Sequence, residues 1–186
     1  MLSFSKFEQG LPLDDFLVKH GSLNHKTRWN ATLQAIVLTP EQVATIRSFT
    51  REVNVLILAG AWCGDCSSQC PAFDKFSQVN PLIRVRYIDR DVHADAQKEL
   101  QINGGNRVPV VVFFSEDGFE VSRMGDKTLS RYRDTMHSMA GDGCATGIVT
   151  GTDSVFNMAI ADWLAETERV QYILRLSGRL RTKHGD

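Results

Sequence analysis

The feature that most constrains this chain is an apolar run at residues 53–61, followed directly by Trp62-Cys63-Gly64-Asp65-Cys66. A short apolar run is typical of a buried parallel strand, because a strand that is covered on both faces needs no polar side. Open α/β sheets carry their chemistry just beyond the carboxyl ends of such strands. Two cysteines at C-x-x-C spacing in that position predict a redox-active dithiol.

A second group of residues extends the pattern downstream. Val108-Pro109 opens another apolar run, residues 110–114, and an acidic-glycine turn at residues 115–118 leads to a further predicted strand. Together with the motif at residues 62–66, and with Pro71 five residues after it, this order resembles the thioredoxin superfamily over roughly residues 53–140. The resemblance implies an α/β, thioredoxin-like fold with a central mixed sheet flanked by helices. It also implies an interrupted helix at Pro71 and a cis bond before Pro109.

The chain divides into four segments. Residues 1–38 predict an N-terminal helical extension, in which Asn24 could cap a helix. Residues 39–140 form the predicted thioredoxin-like domain, which opens with a capping box between Thr39 and Gln42 around a first-turn proline. Residues 141–153 are rich in Gly and Thr and predict a loop. Residues 154–186 predict a C-terminal helix and a solvated basic tail, so extra helices are expected at both ends.

Composition argues against several classes of function. The 186 residues carry a net charge of −1 with acids and bases interspersed, so a basic face for nucleic acid is not expected. No run approaches the length of a membrane span, and the N-terminus lacks the apolar core of a secretory signal. Four cysteines are too few for a disulfide scaffold. We therefore expect no nucleic-acid or membrane partner and a cytoplasmic location, where the dithiol is kept reduced.

The two motif cysteines have different expected roles. Cys63 should lie exposed at the start of a helix, where free N–H groups and the helix dipole favour a thiolate and lower its pKa. That thiolate would attack a substrate disulfide, and Cys66, within one helical turn, would resolve the mixed disulfide. The alternatives are two structural thiols or half of a zinc site. No cofactor is expected beyond the redox-active Cys63–Cys66 disulfide.

Two positions depart from the usual thioredoxin pattern. Asp65 stands where most thioredoxins have proline, and its charge should raise the pKa of Cys63 relative to a proline variant. The alternative is that Asp65 is only a favourable first-turn residue. Ile57 occupies the position where thioredoxins carry a buried aspartate, which is proposed to move the proton of the resolving cysteine. The resemblance therefore supports the reaction class better than it supports the rate.

Cys70 follows Cys66 by four residues, so Cys63, Cys66 and Cys70 form a stripe on one helix face. Cys70 is expected to behave as a small buried apolar residue. It could instead be an auxiliary thiol, or the stripe could bind a metal, with or without Cys144. The spacing departs from the paired C-x-x-C of common zinc ribbons, so no metal is expected.

A substrate face is expected around the dithiol, and its members are Trp62, Gly64, Asp65, Val108 and Pro109. Trp62 would form a surface lid, and the loop at Pro109 would recognise an extended peptide through its backbone. The alternatives are a core tryptophan and an ordinary trans proline. Expected partners are disulfide-containing proteins or small molecules. An external flavin-dependent reductase or a low-molecular-weight thiol would supply the electrons.

These residues predict a thiol–disulfide oxidoreductase that acts as a disulfide reductase through Cys63 and Cys66. Two alternatives stay open. One is a thioredoxin-fold module that binds a partner with little redox turnover, and the other is a metal-carrying protein that uses Cys63, Cys66 and Cys70. The apolar stripe of the C-terminal helix, which includes Ile160 and Trp163, must pack on the core or on a partner. A homodimer through this helix could therefore form.

Overall fold

The computed structural model describes residues 2–140 and 154–186. Within these ranges the chain forms ten helices and four strands. In chain order they are α1 (Ser5–Gln9), α2 (Leu13–His20), α3 (Leu23–Ala35), α4 (Pro40–Arg47), β1 (Val53–Ala59), α5 (Gly64–Gln69), α6 (Pro71–Val79), β2 (Ile83–Asp89), α7 (Ala94–Glu99), β3 (Val110–Ser115), β4 (Glu120–Gly125), α8 (Leu129–Ala140), α9 (Val155–Leu176) and α10 (Gly178–His184). The predicted loop at residues 141–153, with Cys144, lies outside the described residues.

The four strands form one mixed sheet in the order β2-β1-β3-β4. β1 pairs in parallel with β2 and antiparallel with β3, and β4 pairs antiparallel with β3. Every residue of β1 and β3 is buried. Because both faces of these central strands are covered, their sequences are apolar runs without the alternation of a half-exposed strand. The predicted α/β class, with a mixed sheet flanked by helices, is confirmed.

The helix that follows β1 is divided at Cys70. Cys70 is the C-cap of α5 and the N-cap of α6, and Pro71 occupies the first position of α6. Proline has no N–H to continue the hydrogen-bond ladder, but it fits the first turn of a new helix. The interruption expected at Pro71 is therefore present.

The N-terminal helices pack into the same apolar core as the sheet. Phe16 of α2 and Trp29 of α3 lie against Tyr87 of β2, with ring centroids 5.4 Å and 5.8 Å from the tyrosine ring. The Trp29 indole also donates a hydrogen bond to the Ala61 carbonyl at 2.9 Å. This bond ties the N-terminal extension to the segment directly before the C-x-x-C motif.

Local capping chemistry sets the helix starts. α4 begins at the predicted capping box, in which the side chains of Thr39 and Gln42 each accept a hydrogen bond from the other residue's backbone N–H. α3 is capped by Ser22 and not by Asn24, because Ser22 accepts from the His25 N–H and the His25 ring accepts from the Ser22 N–H. Histidine here fills the role that Glu or Gln usually has in a capping box. The usual sequence pattern therefore did not reveal this start.

The C-terminal helix α9 packs on the core of its own chain. Trp163 is fully buried, and its ring centroid lies 5.0 Å from that of Phe73 in α6. The Gln171 side chain hydrogen-bonds both the N–H and the carbonyl of Arg51, just before β1. Most of the apolar stripe expected on this helix, including Ile160, Trp163 and Leu164, is therefore buried within the chain.

The residues of the basic tail are mostly exposed, as the sequence predicted for a solvated end. The tail forms α10, in which Leu180 is fully buried. Arg179 and Lys183 pair with Asp117 and Glu116 of the β3–β4 turn. Nothing in the local sequence relates the tail to that turn, so only the fold brings them together. Among the described helices, none is long and apolar enough to cross a bilayer.

Candidate redox site

The two motif cysteines lie where β1 leads into α5. Cys63 is the N-cap of α5, and its Sγ accepts a hydrogen bond from the Cys66 N–H at 3.3 Å. Cys63 is 7% exposed and Cys66 is fully buried. A cysteine thus takes the capping role that Ser or Asp usually has, which holds the first sulfur close to the second cysteine.

The loop before β3 faces the dithiol. The Val108–Pro109 bond is cis, as the resemblance implied, so the trans alternative is wrong. The Cys63 thiol donates a hydrogen bond to the Val108 carbonyl, with 3.7 Å between sulfur and oxygen. β1 and β3 are antiparallel neighbours, so the end of one strand and the start of the other lie side by side. This pairing brings the Val108 loop to Cys63.

Trp62 is a surface residue beside the dithiol. Its side chain is 47% exposed, so the alternative of a core tryptophan is wrong. The indole Nε1 donates a hydrogen bond to the Asp91 carboxylate at 3.3 Å, and the Arg90 guanidinium lies 5.1 Å from the ring centroid. Gly60 leaves room for the ring, since a Cβ there would lie 2.7 Å from the indole. These contacts hold the Trp62 ring in place at the surface beside the dithiol.

The pKa values of the thiols differ from the expectation. The hydrogen bond with the Cys66 thiol, followed by burial, raises the pKa of Cys63, while the backbone N–H groups of Cys66 and Asp65 act in the opposite direction. Burial also raises the pKa of Cys66 and of Cys70. Cys63 was expected to be exposed and to have a lowered pKa, and both expectations are wrong. The helix start supplies N–H groups, but the second thiol and the apolar surroundings disfavour the thiolate more strongly.

Asp65 has a partner that the sequence did not reveal. Lys127, in the connection between β4 and α8 and 62 residues away along the chain, places its Nζ 2.9 Å from the Asp65 carboxylate. Gly64 is exposed, with no atom within 4 Å of the place a Cβ would occupy. Both residues therefore lie on the accessible rim of the dithiol. The sequence predicted that the charge of Asp65 raises the pKa of Cys63, but it did not reveal that a cation stands directly beside that charge.

A partly buried carboxylate lies near the dithiol helix, although not on the preceding strand. Ile57 is fully buried within β1, at the position where thioredoxins carry aspartate. Asp74 of α6 accepts a hydrogen bond from the Tyr87 hydroxyl, which also donates to the Cys70 carbonyl at 3.2 Å. Burial raises the pKa of Asp74 to about 7, and the hydrogen bond from Tyr87 opposes this rise. Asp74 belongs to no sequence motif, so the fold alone identifies it.

Cys70 is fully buried at the junction of α5 and α6, as expected of a small apolar residue. In residues 2–140 and 154–186, no group of three or more His, Cys, Asp or Glu side chains is arranged to hold a metal ion. The alternative of a metal site formed by Cys63, Cys66 and Cys70 thus finds no support in this part of the chain.

Two arginines also contact the site without any sequence signal. Arg28 of α3 donates hydrogen bonds to the carbonyls of Ala61 and Trp62, at 3.4 Å and 2.8 Å. Arg131 of α8 donates to the Ser68 hydroxyl in α5. The contacting residues lie from 33 to 63 positions apart along the chain. They fix the segments on either side of the two cysteines.

Comparison with known proteins agrees with this geometry. A family model described as thioredoxin matches residues 10–128, which is more than half of the chain. The chain therefore belongs to the thioredoxin family. A search of curated proteins found no significant match.

Two solved structures are similar to nearly the whole chain. One is a protein of unknown function from Pseudomonas aeruginosa, with 20% identity and a TM-score of 0.70 over 91% of this chain and 99% of that one. The other is an HIV epitope scaffold, with 19% identity and a TM-score of 0.67 over 90% of this chain and 99% of the scaffold. At these identities the likeness concerns the fold. Because it covers so much of the chain, the shared fold includes most of the added terminal helices.

Proposed function

We propose that this protein is a thiol–disulfide oxidoreductase that reduces disulfides of proteins or small molecules through Cys63 and Cys66. The observation that carries the proposal is the hydrogen bond from the Cys66 N–H to the Cys63 Sγ, 3.3 Å long, at the start of α5. A sulfur that caps a helix lies beside main-chain N–H groups, which stabilise a thiolate once it forms. The second thiol is close enough to displace a substrate from the first.

The reaction takes two exchange steps. The Cys63 thiol loses its proton, and the thiolate attacks one sulfur of the substrate disulfide, so that a mixed disulfide forms and one substrate thiolate leaves. Cys66 then loses its proton and attacks the Cys63 sulfur, which releases the second substrate thiolate and forms the Cys63–Cys66 disulfide. The substrate gains two electrons and the dithiol loses two. An external flavin-dependent reductase or a low-molecular-weight thiol returns them, with no further cofactor.

Substrate docking is needed to free the attacking thiol. Cys63 is 7% exposed and its pKa is raised, first by the hydrogen bond with the Cys66 thiol and then by burial. Its thiol is held by the Val108 carbonyl at 3.7 Å, a group that an extended peptide would also bind. A docked peptide would compete for that carbonyl and release the thiol. We assign this substrate face to Trp62, Gly64, Asp65, Val108 and Pro109.

Reduction of insulin disulfides, with dithiothreitol as the source of electrons, tests the proposal. The wild-type protein should accelerate the reduction, and Cys63→Ser and Cys66→Ser should each abolish turnover. Cys70→Ala is the matched control, because it removes the third thiol of the stripe, which takes no part in either exchange step, and it should keep turnover. A folded wild-type protein that does not accelerate reduction would refute the proposal and favour the alternative of a partner-binding module with little redox turnover.

Two further parts of the proposal concern location and assembly. We propose a cytoplasmic location, because a reducing compartment keeps such a dithiol in its active form. A homodimer through α9 would have to use the outward side chains of Tyr172, Ile173 and Leu176, since the rest of the apolar stripe is buried. Light scattering of the full-length protein tests this contact, and a monomeric mass would refute it.

A further inference from the structure

An ion pair lies inside the motif that carries the dithiol. The Lys127 Nζ is 2.9 Å from the Asp65 carboxylate, and the side chains are 22% and 35% exposed. Lys127 also lies 4.0 Å from Asp126, which has its own partner in Arg107 at 3.1 Å. Asp65 is therefore the carboxylate that Lys127 contacts most closely. Partial burial makes the pair less screened by solvent than a fully exposed one.

The charge of Asp65 acts on Cys70, one of the three cysteines of the stripe. Burial is the largest cause of the raised pKa of Cys70, and the charge of Asp65 adds to it. Cys63 lies only two residues before Asp65, at the other end of α5 from Cys70. A carboxylate near a thiol disfavours the thiolate, and a cation paired with that carboxylate offsets most of the effect.

We propose that Lys127 is a positioning residue for the dithiol: its ammonium group holds the Asp65 carboxylate, cancels its charge and so keeps Cys63 able to react as a thiolate. The inference rests on the proposed function, since it concerns the reactivity of the same dithiol. It also explains how the motif accommodates an acidic residue beside the attacking cysteine. Without Lys127, an unopposed anion would stand two residues from the attacking sulfur.

The other charged groups around the pair do not replace Lys127. Asp126 keeps Arg107 at 3.1 Å and the Tyr132 hydroxyl as hydrogen-bond partners when Lys127 is removed. Arg131 is bound to the Ser68 hydroxyl of α5. When Lys127 is removed, Asp126 therefore keeps a cationic partner, but the Asp65 carboxylate loses the one that the structure gives it.

The test measures how fast iodoacetamide alkylates Cys63 in the reduced full-length protein between pH 6 and 10, with labelled sites identified by mass spectrometry. Lys127→Met should slow alkylation at neutral pH roughly threefold, the order expected for one partly screened charge near the thiol. Lys127→Arg, which keeps the charge, should restore the wild-type rate. Asp65→Asn should speed alkylation, and the double variant Lys127→Met/Asp65→Asn should return close to wild type. High salt should shrink these differences.

Equal alkylation rates for wild type and Lys127→Met, with unchanged thermal midpoints, would overturn the inference. If Lys127→Met does not fold, Asp65→Asn supplies the decisive arm, and an unchanged or slower rate in that variant refutes the role of the pair. The proposed function fails separately, through a wild-type protein that does not reduce insulin. Normal insulin reduction without any shift in alkylation refutes only the role of Lys127.

Discussion

Replacing Asp74 with asparagine should flatten the dependence of folding stability on pH. In the folded protein Asp74 accepts a hydrogen bond from the Tyr87 hydroxyl. Burial raises the pKa of Asp74 from 3.8 to about 7, the charge of Asp14 adds to the rise, and the hydrogen bond from Tyr87 opposes it. In the unfolded chain the pKa returns to its ordinary value. The folded state therefore holds this proton more tightly than the unfolded state does.

The sign and size of the effect follow from linkage. Between the unfolded pKa of 3.8 and the folded pKa of about 7, the folded chain binds more protons, so stability falls as pH rises. Each pKa unit corresponds to about 1.36 kcal/mol, so a rise of about three units limits the loss of folding free energy to about 4 kcal/mol. Solvent screening of a partly exposed carboxyl reduces this to about 2 kcal/mol. Asp74→Asn keeps a hydrogen-bond acceptor for the Tyr87 hydroxyl. Because asparagine does not titrate, the variant should not show the loss of stability that the Asp74 carboxyl causes as pH rises.

Urea unfolding at pH 5, 6, 7 and 8 measures the effect. The free energy of unfolding of Asp74→Asn relative to wild type should increase by about 1 to 2 kcal/mol from pH 5 to pH 8. Asp134→Asn, at an exposed aspartate of α8, is the matched control and should show a constant difference. If Asp74→Asn and wild type lose stability in parallel over this range, the carboxyl does not titrate as described and the reasoning is wrong.

Three other predictions concern the dithiol, α9 and α4. Insulin reduction should accelerate with pH well beyond neutrality, because the hydrogen bond with the Cys66 thiol and burial raise the pKa of Cys63; a rate that levels off below pH 7 would contradict this. Trp163→Ala should lower the free energy of unfolding by about 3–5 kcal/mol, because the indole is fully buried. The exposed control Tyr172→Ala should change it by less than about 0.5 kcal/mol, and equal effects would show that α9 does not pack as described. Thr39→Ala should cost about 1 kcal/mol in urea unfolding by removing the cap of α4. Thr45→Ala, inside the same helix, should not be destabilising, and an unchanged Thr39→Ala would refute the cap.

Much of the fold was predictable because local sequence patterns carry it. The apolar runs that became β1 and β3 are buried on both faces, and that burial is what an unbroken run indicates. The capping box at Thr39 involves only neighbouring residues, so it could be read directly from the sequence. The start of α3 was placed two residues too late, because His25 takes a role that the usual pattern gives to Glu or Gln.

The candidate site was predictable in its positions and less so in its electrostatics. The motif and the Val108–Pro109 loop were brought together as the resemblance implied. The burial of Cys63 depends on that contact across the sheet. The pKa of Cys63 is raised by the second thiol and by burial. The position of Cys63 at a helix start, taken alone, had predicted a lowered pKa. The partner of Asp65 lies 62 residues away, a separation at which no spacing rule operates.

The central claim is that Cys63 bonds covalently to a substrate sulfur and that Cys66 resolves the bond. It is tested most directly by mixing folded, reduced Cys66→Ser with a disulfide-containing peptide and mapping the adduct by mass spectrometry. We predict one peptide per protein, attached at Cys63, and no adduct with Cys63→Ser. An adduct at Cys70, or none on the folded Cys66→Ser variant, would contradict the assignment of the two cysteines.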